Sequence, residues 1–337
     1  MGENHMHMAD ALLSPAVGGA MYAASAVTAI YSVKKVKEDF SPKKVPVMGV
    51  MGAFVFAAQM INFSIPGTGS SGHICGGILL AALLGPYAAF LSMIAILLIQ
   101  CLLFADGGIL ALGCNIWNMA FYACFFGYFC LYKPIIKNGM SRAKIVLASV
   151  LGCVLSLQLG AFSVALETTI SGISELPFSV FVAAMQPIHL AIGTIEGLIT
   201  AAVLIFVFET RPELLNAEAT ENKFSLKKVL VIMGIVVVLV GGALSLVASS
   251  NPDGLEWSIG QVTGKDELDT DVSVHAALAD VQEKTAVLPD YSFGNDNIAG
   301  TSFSGIVGSG LVAGLCILLA VIFGVYKKKK KADVEKT

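Results

Sequence analysis

Five histidines stand in a chain of 337 residues. Two of them, His5 and His7, fall in the opening stretch MGENHMHMADALLSP. A third, His73, sits in SIPGTGSSGHICGG, a glycine- and serine-rich stretch between two strongly apolar runs. Neutral imidazole is a common ligand for divalent transition metals. In a chain beginning at Met6, the α-amine, the His7 backbone nitrogen and the His7 imidazole can close fused chelate rings around one ion. A fourth nitrogen from His73 completes a roughly square-planar set, which suits Ni(II) or Cu(II) and requires deprotonated ligands. The plainer alternatives are a solvated tail for His5 and His7, and a His73 satisfied by neighbouring hydroxyls or carbonyls.

Other groups are candidates by position. His189 and Glu196 in QPIHLAIGTIEGLITAAV are seven apart, hence on one helix face. Ionisable residues inside a membrane are functional candidates by default; a polar contact between helices is the competing reading. Asp106 precedes Gly107-Gly108 at an expected turn. Asn115 and Asn118 follow and are expected to bond the backbone of the His73 loop. Cys75 is either a soft metal ligand or a small packed thiol, and the thiol reading is preferred. His189, Glu196 and Glu167 together raise the alternative of an intramembrane enzyme. The chain has neither GxxxxGK[ST] nor HExxH, so an ATP-driven process needs its ATPase on another polypeptide.

These residues must be positioned by membrane helices. The chain is 56% hydrophobic and 13% charged, against roughly 25% charged in soluble domains. Seven cysteines, none in a CxxC pair, do not suggest a disulfide framework. Basic clusters at 34–44, 133–144, 209–228 and 327–331 are expected on the cytoplasmic side. Between them lie apolar spans at 11–33, 46–63, 76–88, 90–104, 112–132, 145–168, 184–208, 228–249 and 304–326. Nine crossings put the N-terminus outside and the C-terminus in the cytoplasm. The spans at 76–88 and 90–104 are short and meet near Gly85-Pro86, so a broken or re-entrant element is the alternative there. Residues 250–303 hold ten acidic residues against two lysines, and read as a partly flexible extracytoplasmic segment. The expectation is an all-α polytopic membrane protein: a seven-span module, then a two-helix hairpin with an acidic outer loop.

The stretches MHMADALLSPAVGG, SSGHICGGILLAALLGPYAAFL, LLFADGGILALGCNIWNMA and QPIHLAIGTIEGLITAAV resemble the cobalt/nickel substrate-binding M component of energy-coupling-factor transporters. SSNPDGLEWSIG resembles the small N component of the same systems, with its PDGLE signature. The resemblance implies a seven-helix substrate-binding bundle over 6–208, a cytoplasmic linker at 209–227, an N-type hairpin over 228–331 and a tail at 332–337. It implies Co(II) or Ni(II) as the transported ion and no resident cofactor. Its ligands are the terminal amine and the second residue's backbone nitrogen and imidazole, here Met6 and His7, with the loop histidine His73. His5 is a substitute ligand if residues 1–5 remain; the expectation is a start at Met6. His189 and Glu196 match a recurrent family stretch. The implied partners are a transmembrane T component and two cytoplasmic ATPase subunits, in a prokaryotic plasma membrane, with no nucleic acid. A stand-alone metal permease or channel is the runner-up.

Overall fold

The computed structural model describes residues 7–39, 44–216, 222–265, 268, 272–293 and 298–334. His5 and Met6 lie outside the described residues. The first module runs α1 (Pro15–Asp39), α2 (Val45–Gln59), a hairpin of β1 (Phe63–Ile65) and β2 (Ser70–Gly72), α3 (Gly77–Leu84) and α4 (Pro86–Phe104). It continues with α5 (Leu112–Ile136), α6 (Arg142–Ser171) and α7 (Phe178–Thr210). The second module holds α8 (Leu226–Gly242), α9 (Gly254–Thr263), α10 (Ser273–Thr285) and α11 (Ile298–Val334).

Seven of these segments are long and apolar enough to cross a bilayer: α1, α4, α5, α6, α7, α8 with its following turn, and α11. A hydrocarbon core of about 30 Å needs about 20 helical residues. The spans expected at 46–63 and 76–88 fall short of that length, because α2 has 15 residues and α3 only eight, the latter about 12 Å of helix at 1.5 Å per residue. The reason lies before it. Residues 73–76 run in non-helical backbone beside α2, with Gly76 against Val55, so helix begins only at Gly77. Backbone of this kind is tolerated at membrane depth only when enclosed by protein. At its other end α3 stops at Gly85, and Pro86 starts α4 at once. Lys44 donates from its ammonium to the Leu84 carbonyl there, 3.1 Å away.

Local chemistry accounts for the other helix limits. The Ser141 hydroxyl accepts from the Lys144 amide to start α6, and Gly172 ends it in the left-handed conformation. Gly193 and Gly197 of α7 face the α6 backbone at Val154 and Val150, the close approach that small residues permit between membrane helices. Within α5, Ile116–Tyr132 is wound as a π-helix carrying a ladder of rings, Trp117 stacking on Phe121 at 3.8 Å.

The acidic segment of the second module is more ordered than its composition suggests. Asp253 caps α9, accepting from the Leu255 and Glu256 amides, while Glu256 accepts from the Asp253 amide. The segment lies across the first module. Ser71 donates its amide to the Pro252 carbonyl at 2.8 Å, and the Trp257 indole donates to the Thr68 carbonyl at 3.0 Å. Gln282 of α10 donates to the Cys101 and Gly107 carbonyls. Its few apolar side chains, such as Leu255, Ile259 and Tyr291, are buried against that module, which offsets the entropy of ordering a charged stretch.

Candidate metal site

The chain entering the first helix is not a tail. Met8 donates its amide to Asn115 Oδ1 at 3.1 Å, and its carbonyl accepts from Asn115 Nδ2 and from the Gly108 amide. Asp10 accepts from the Ala111 amide. His7 and Met8 are 4% and 1% exposed. The residues after His7 are thus sewn to the turn between α4 and α5. Asn115 therefore bonds the backbone of Met8 and not the His73 loop as expected from the sequence. Asn118 also differs: it donates to Glu167 at 2.8 Å. The reason in both cases is direction, since the start of α5 faces the N-terminal segment and α6.

His7 meets His73 from across the bundle, ring centroids 5.3 Å apart and planes at 70°. His73 Nδ1 lies 3.1 Å from the Ile74 carbonyl. A carbonyl only accepts, so this contact puts the proton on Nδ1 and the lone pair on Nε2. His7 Nδ1 lies 2.9 Å from Asp106 Oδ1, an ion-pair distance rather than an aligned hydrogen bond. His7 Nε2 is buried with no hydrogen-bond partner among the described residues. Burial alone would raise the Asp106 carboxyl, but the facing His7 ring and the Tyr291 hydroxyl outweigh it and hold the carboxyl below its ordinary value.

Tyr291 comes from the second module. Its hydroxyl donates to Asp106 Oδ2 at 2.6 Å and its ring stacks on Phe104, centroids 4.7 Å apart. Burial first, and then the neighbouring carboxylate, push its phenol well above the ordinary value, so it stays a donor. Neither Asp106's role nor Tyr291 was anticipated; the available signal was an acidic residue before two glycines amid apolar sequence. Tyr291→Phe removes a buried hydrogen bond to a charged acceptor, a loss of about 1.5–3 kcal/mol. The expected result is a lower thermal unfolding midpoint in detergent, and an unchanged midpoint would show the bond to be absent.

The two imidazoles border a cavity of about 100 Å³ that also touches Asn115, Asn118 and His189. Residues Asp253, Gly254 and Leu255 close it from the second module. His189 Nδ1 lies 2.8 Å from the Met185 carbonyl of its own helix. Glu196 lies deeper on α7 and accepts from the Cys75 and Gly76 amides. Cys75 is a packed thiol, donating to the Met119 carbonyl at 3.0 Å. His189, Glu196 and Glu167 thus serve three different partners. Among the described residues no group of three His, Cys, Asp or Glu side chains is placed to hold a metal. The arrangement brings together two imidazoles, His7 and His73; Met6, from which the amine nitrogen is expected, lies outside the described residues.

Comparison with known proteins gives the same class. The family described as "cobalt uptake substrate-specific transmembrane region" matches residues 7–214, and a PDGLE domain matches 227–324. A chain of Archaeoglobus fulgidus, provisionally named a fused nickel transport protein NikMN, is 35% identical, with 92% of this chain and 96% of that one covered. The cobalt transport protein CbiM of Geobacter sulfurreducens is 30% identical over 62% of this chain and 61% of its own. A crystal structure described as a truncated transition metal transporter is 35% identical, with a TM-score of 0.53, covering 60% of this chain and 99% of that one. The chain belongs to the cobalt-uptake substrate-specific transmembrane family, in a form that carries a PDGLE domain on the same polypeptide.

Proposed function

We propose that this protein is the substrate-capture subunit of an energy-coupling-factor importer for Ni(II) or Co(II). The ion binds on the extracytoplasmic side between His7 and His73, with main-chain nitrogens at Met6 and His7 completing the set. It leaves inward when a transmembrane T component and two ATPase subunits drive a rearrangement. The observation that carries this reading is the meeting of the buried His7 ring and the half-buried His73 ring, centroids 5.3 Å apart, beside a cavity that both line. A chelate through the His7 backbone nitrogen closes a six-membered ring with Nδ1. By that route the ion replaces Asp106 as the partner of Nδ1, and the carboxylate remains nearby to offset its charge. The orientation rests on charge: Lys34, Lys35, Lys37, Lys44, Lys133 and Arg142 collect at the end opposite the site.

A partner-driven step is favoured over a stand-alone permease by the apolar packing of the bundle. Phe56, Ile78, Leu79, Leu80, Met93 and Ile96 are fully buried apolar side chains, and an ion cannot pass them without rearrangement. Uptake of radiolabelled Ni(II) and Co(II) by cells expressing this chain, alone and with T and ATPase subunits, tests the reading. Uptake is expected only with the partners and only with active ATPase. Equal uptake by the chain alone would establish the permease instead.

A further inference from the structure

Glu196 has no place in the ligand set, yet it is 1% exposed in the middle of a helix that otherwise reads as apolar. A buried carboxylate is costly unless its lone pairs are used. Both oxygens are used here on successive amides: Oε2 accepts from Cys75 at 2.9 Å and Oε1 from Gly76 at 2.8 Å. These amides belong to the extended stretch that leads from His73 into α3. The carbonyl of the same stretch is held from α2, where Gln59 donates to the Cys75 carbonyl at 2.8 Å. Gln59 is itself fixed by Gln100 of α4, which donates to it at 2.9 Å. Gly76 adopts φ +82°, and a side chain there would meet Val55 at 2.5 Å, so this path suits glycine alone.

We propose that Glu196 is a positioning residue for metal binding: by clamping the Cys75 and Gly76 amides it fixes the backbone from which His73 reaches the ion. This rests on His73 being a ligand. The clamp matters because the segment has no ladder of its own once β2 has ended at Gly72. Without it, two amides beside the ligand lose their acceptor in a water-poor interior, and the three residues after His73 settle elsewhere. Ligand geometry then relaxes, as happens when groups that orient a metal ligand are removed. The clamp also ties the metal loop to α7, so displacement of α7 relative to α2 pulls on the His73 backbone.

Glutamine at this position is nearly isosteric but has one acceptor oxygen, and its amide nitrogen must face an N–H. Aspartate keeps two acceptor oxygens and the charge on a stem one methylene shorter. The test uses the full chain in detergent with Ni(II) alone as the probe, reading affinity and the visible absorption of the bound ion. Glu196→Gln is expected to weaken binding by about 10–100-fold and to shift the absorption band; Glu196→Asp should recover part of both. A purely structural brace would lower the unfolding midpoint and leave the spectrum of bound Ni(II) as in the unaltered protein, which would overturn the proposal. Should Glu196→Gln fail to fold, the spectrum of Glu196→Asp decides alone. His73→Ala on the same preparation separates the two levels. If His73→Ala loses binding and the Glu196 variants do not, only the clamp falls; if His73→Ala binds normally, the site falls and the clamp with it.

Discussion

His73→Ala will lower Ni(II) affinity by more than about 100-fold, the upper end of what even an orienting group costs when removed, and will abolish uptake in cells. The half-buried His73 ring presents Nε2 because Nδ1 is committed to the Ile74 carbonyl, and no other described imidazole stands edge-on to His7. Folding should be little affected, since the loop remains fixed by Glu196, Gln59 and the contact of Ser71 with Pro252. His7→Ala should produce the same loss. If both rings hold one ion, the double variant is no worse than either single, because groups that act as a unit are not additive. Calorimetric titration of the purified chain gives all three values. Additive losses would place the two histidines on different sites, and unchanged affinity in His73→Ala would remove it from the ligand set.

Much of the site was legible because charge and hydropathy place loops at one end or the other. Basic clusters at 34–44 and 133–144 and the apolar runs between them predict His7 and His73 on the same side of the membrane, as they do His275. The loop around His73 announced itself by glycine and serine content where apolar residues were due. What composition could not reveal was the use of single hydrogen bonds. Asn115 sits three residues from Asn118, yet one ties down Met8 and the other Glu167, because helix phase and not residue type chooses the partner. The acidic segment misled for a related reason. Its charge argues for disorder, but capping by Asp253, the Trp257 bond and the Tyr291 stack on Phe104 supply order from a few contacts spread over long separations. The short α3 follows the same logic: hydropathy counts apolar residues but does not distinguish helix from extended chain enclosed by protein.

The two modules line one cavity. The second contributes its roof at Asp253–Leu255 and, through Tyr291, a hold on the carboxylate that faces His7. On the proposed reading, a metal entering between His7 and His73 parts contacts that belong to both modules. The PDGLE segment thereby constrains access as well as stability, and changes at Trp257 or Tyr291 should alter exchange rates of the ion more than changes in the helices beneath.

Gly107→Val will have a large structural effect beside the site. Gly107 adopts φ +82°, a region where a β-branched residue is a genuine outlier, and the strain alone costs about 1–3 kcal/mol. Space is the second term. A side chain there would place its first carbon 2.8 Å from His7 Cβ and 2.9 Å from Asn115 Nδ2, the group that holds the Met8 carbonyl. Neither neighbour can withdraw, since His7 is enclosed and Asn115 is bonded to both polar groups of Met8. The segment around His7 must leave its groove, so metal binding is lost together with several kcal/mol of stability. Gly139→Val is the control: it also has positive φ, +92°, but nothing lies within 4 Å of its added carbon. It carries the strain without the collision and should bind Ni(II) normally with a modestly lower unfolding midpoint. Limited proteolysis at the N-terminal segment and Ni(II) titration distinguish the two variants. Normal binding by Gly107→Val would mean that the segment around His7 does not pack against this turn.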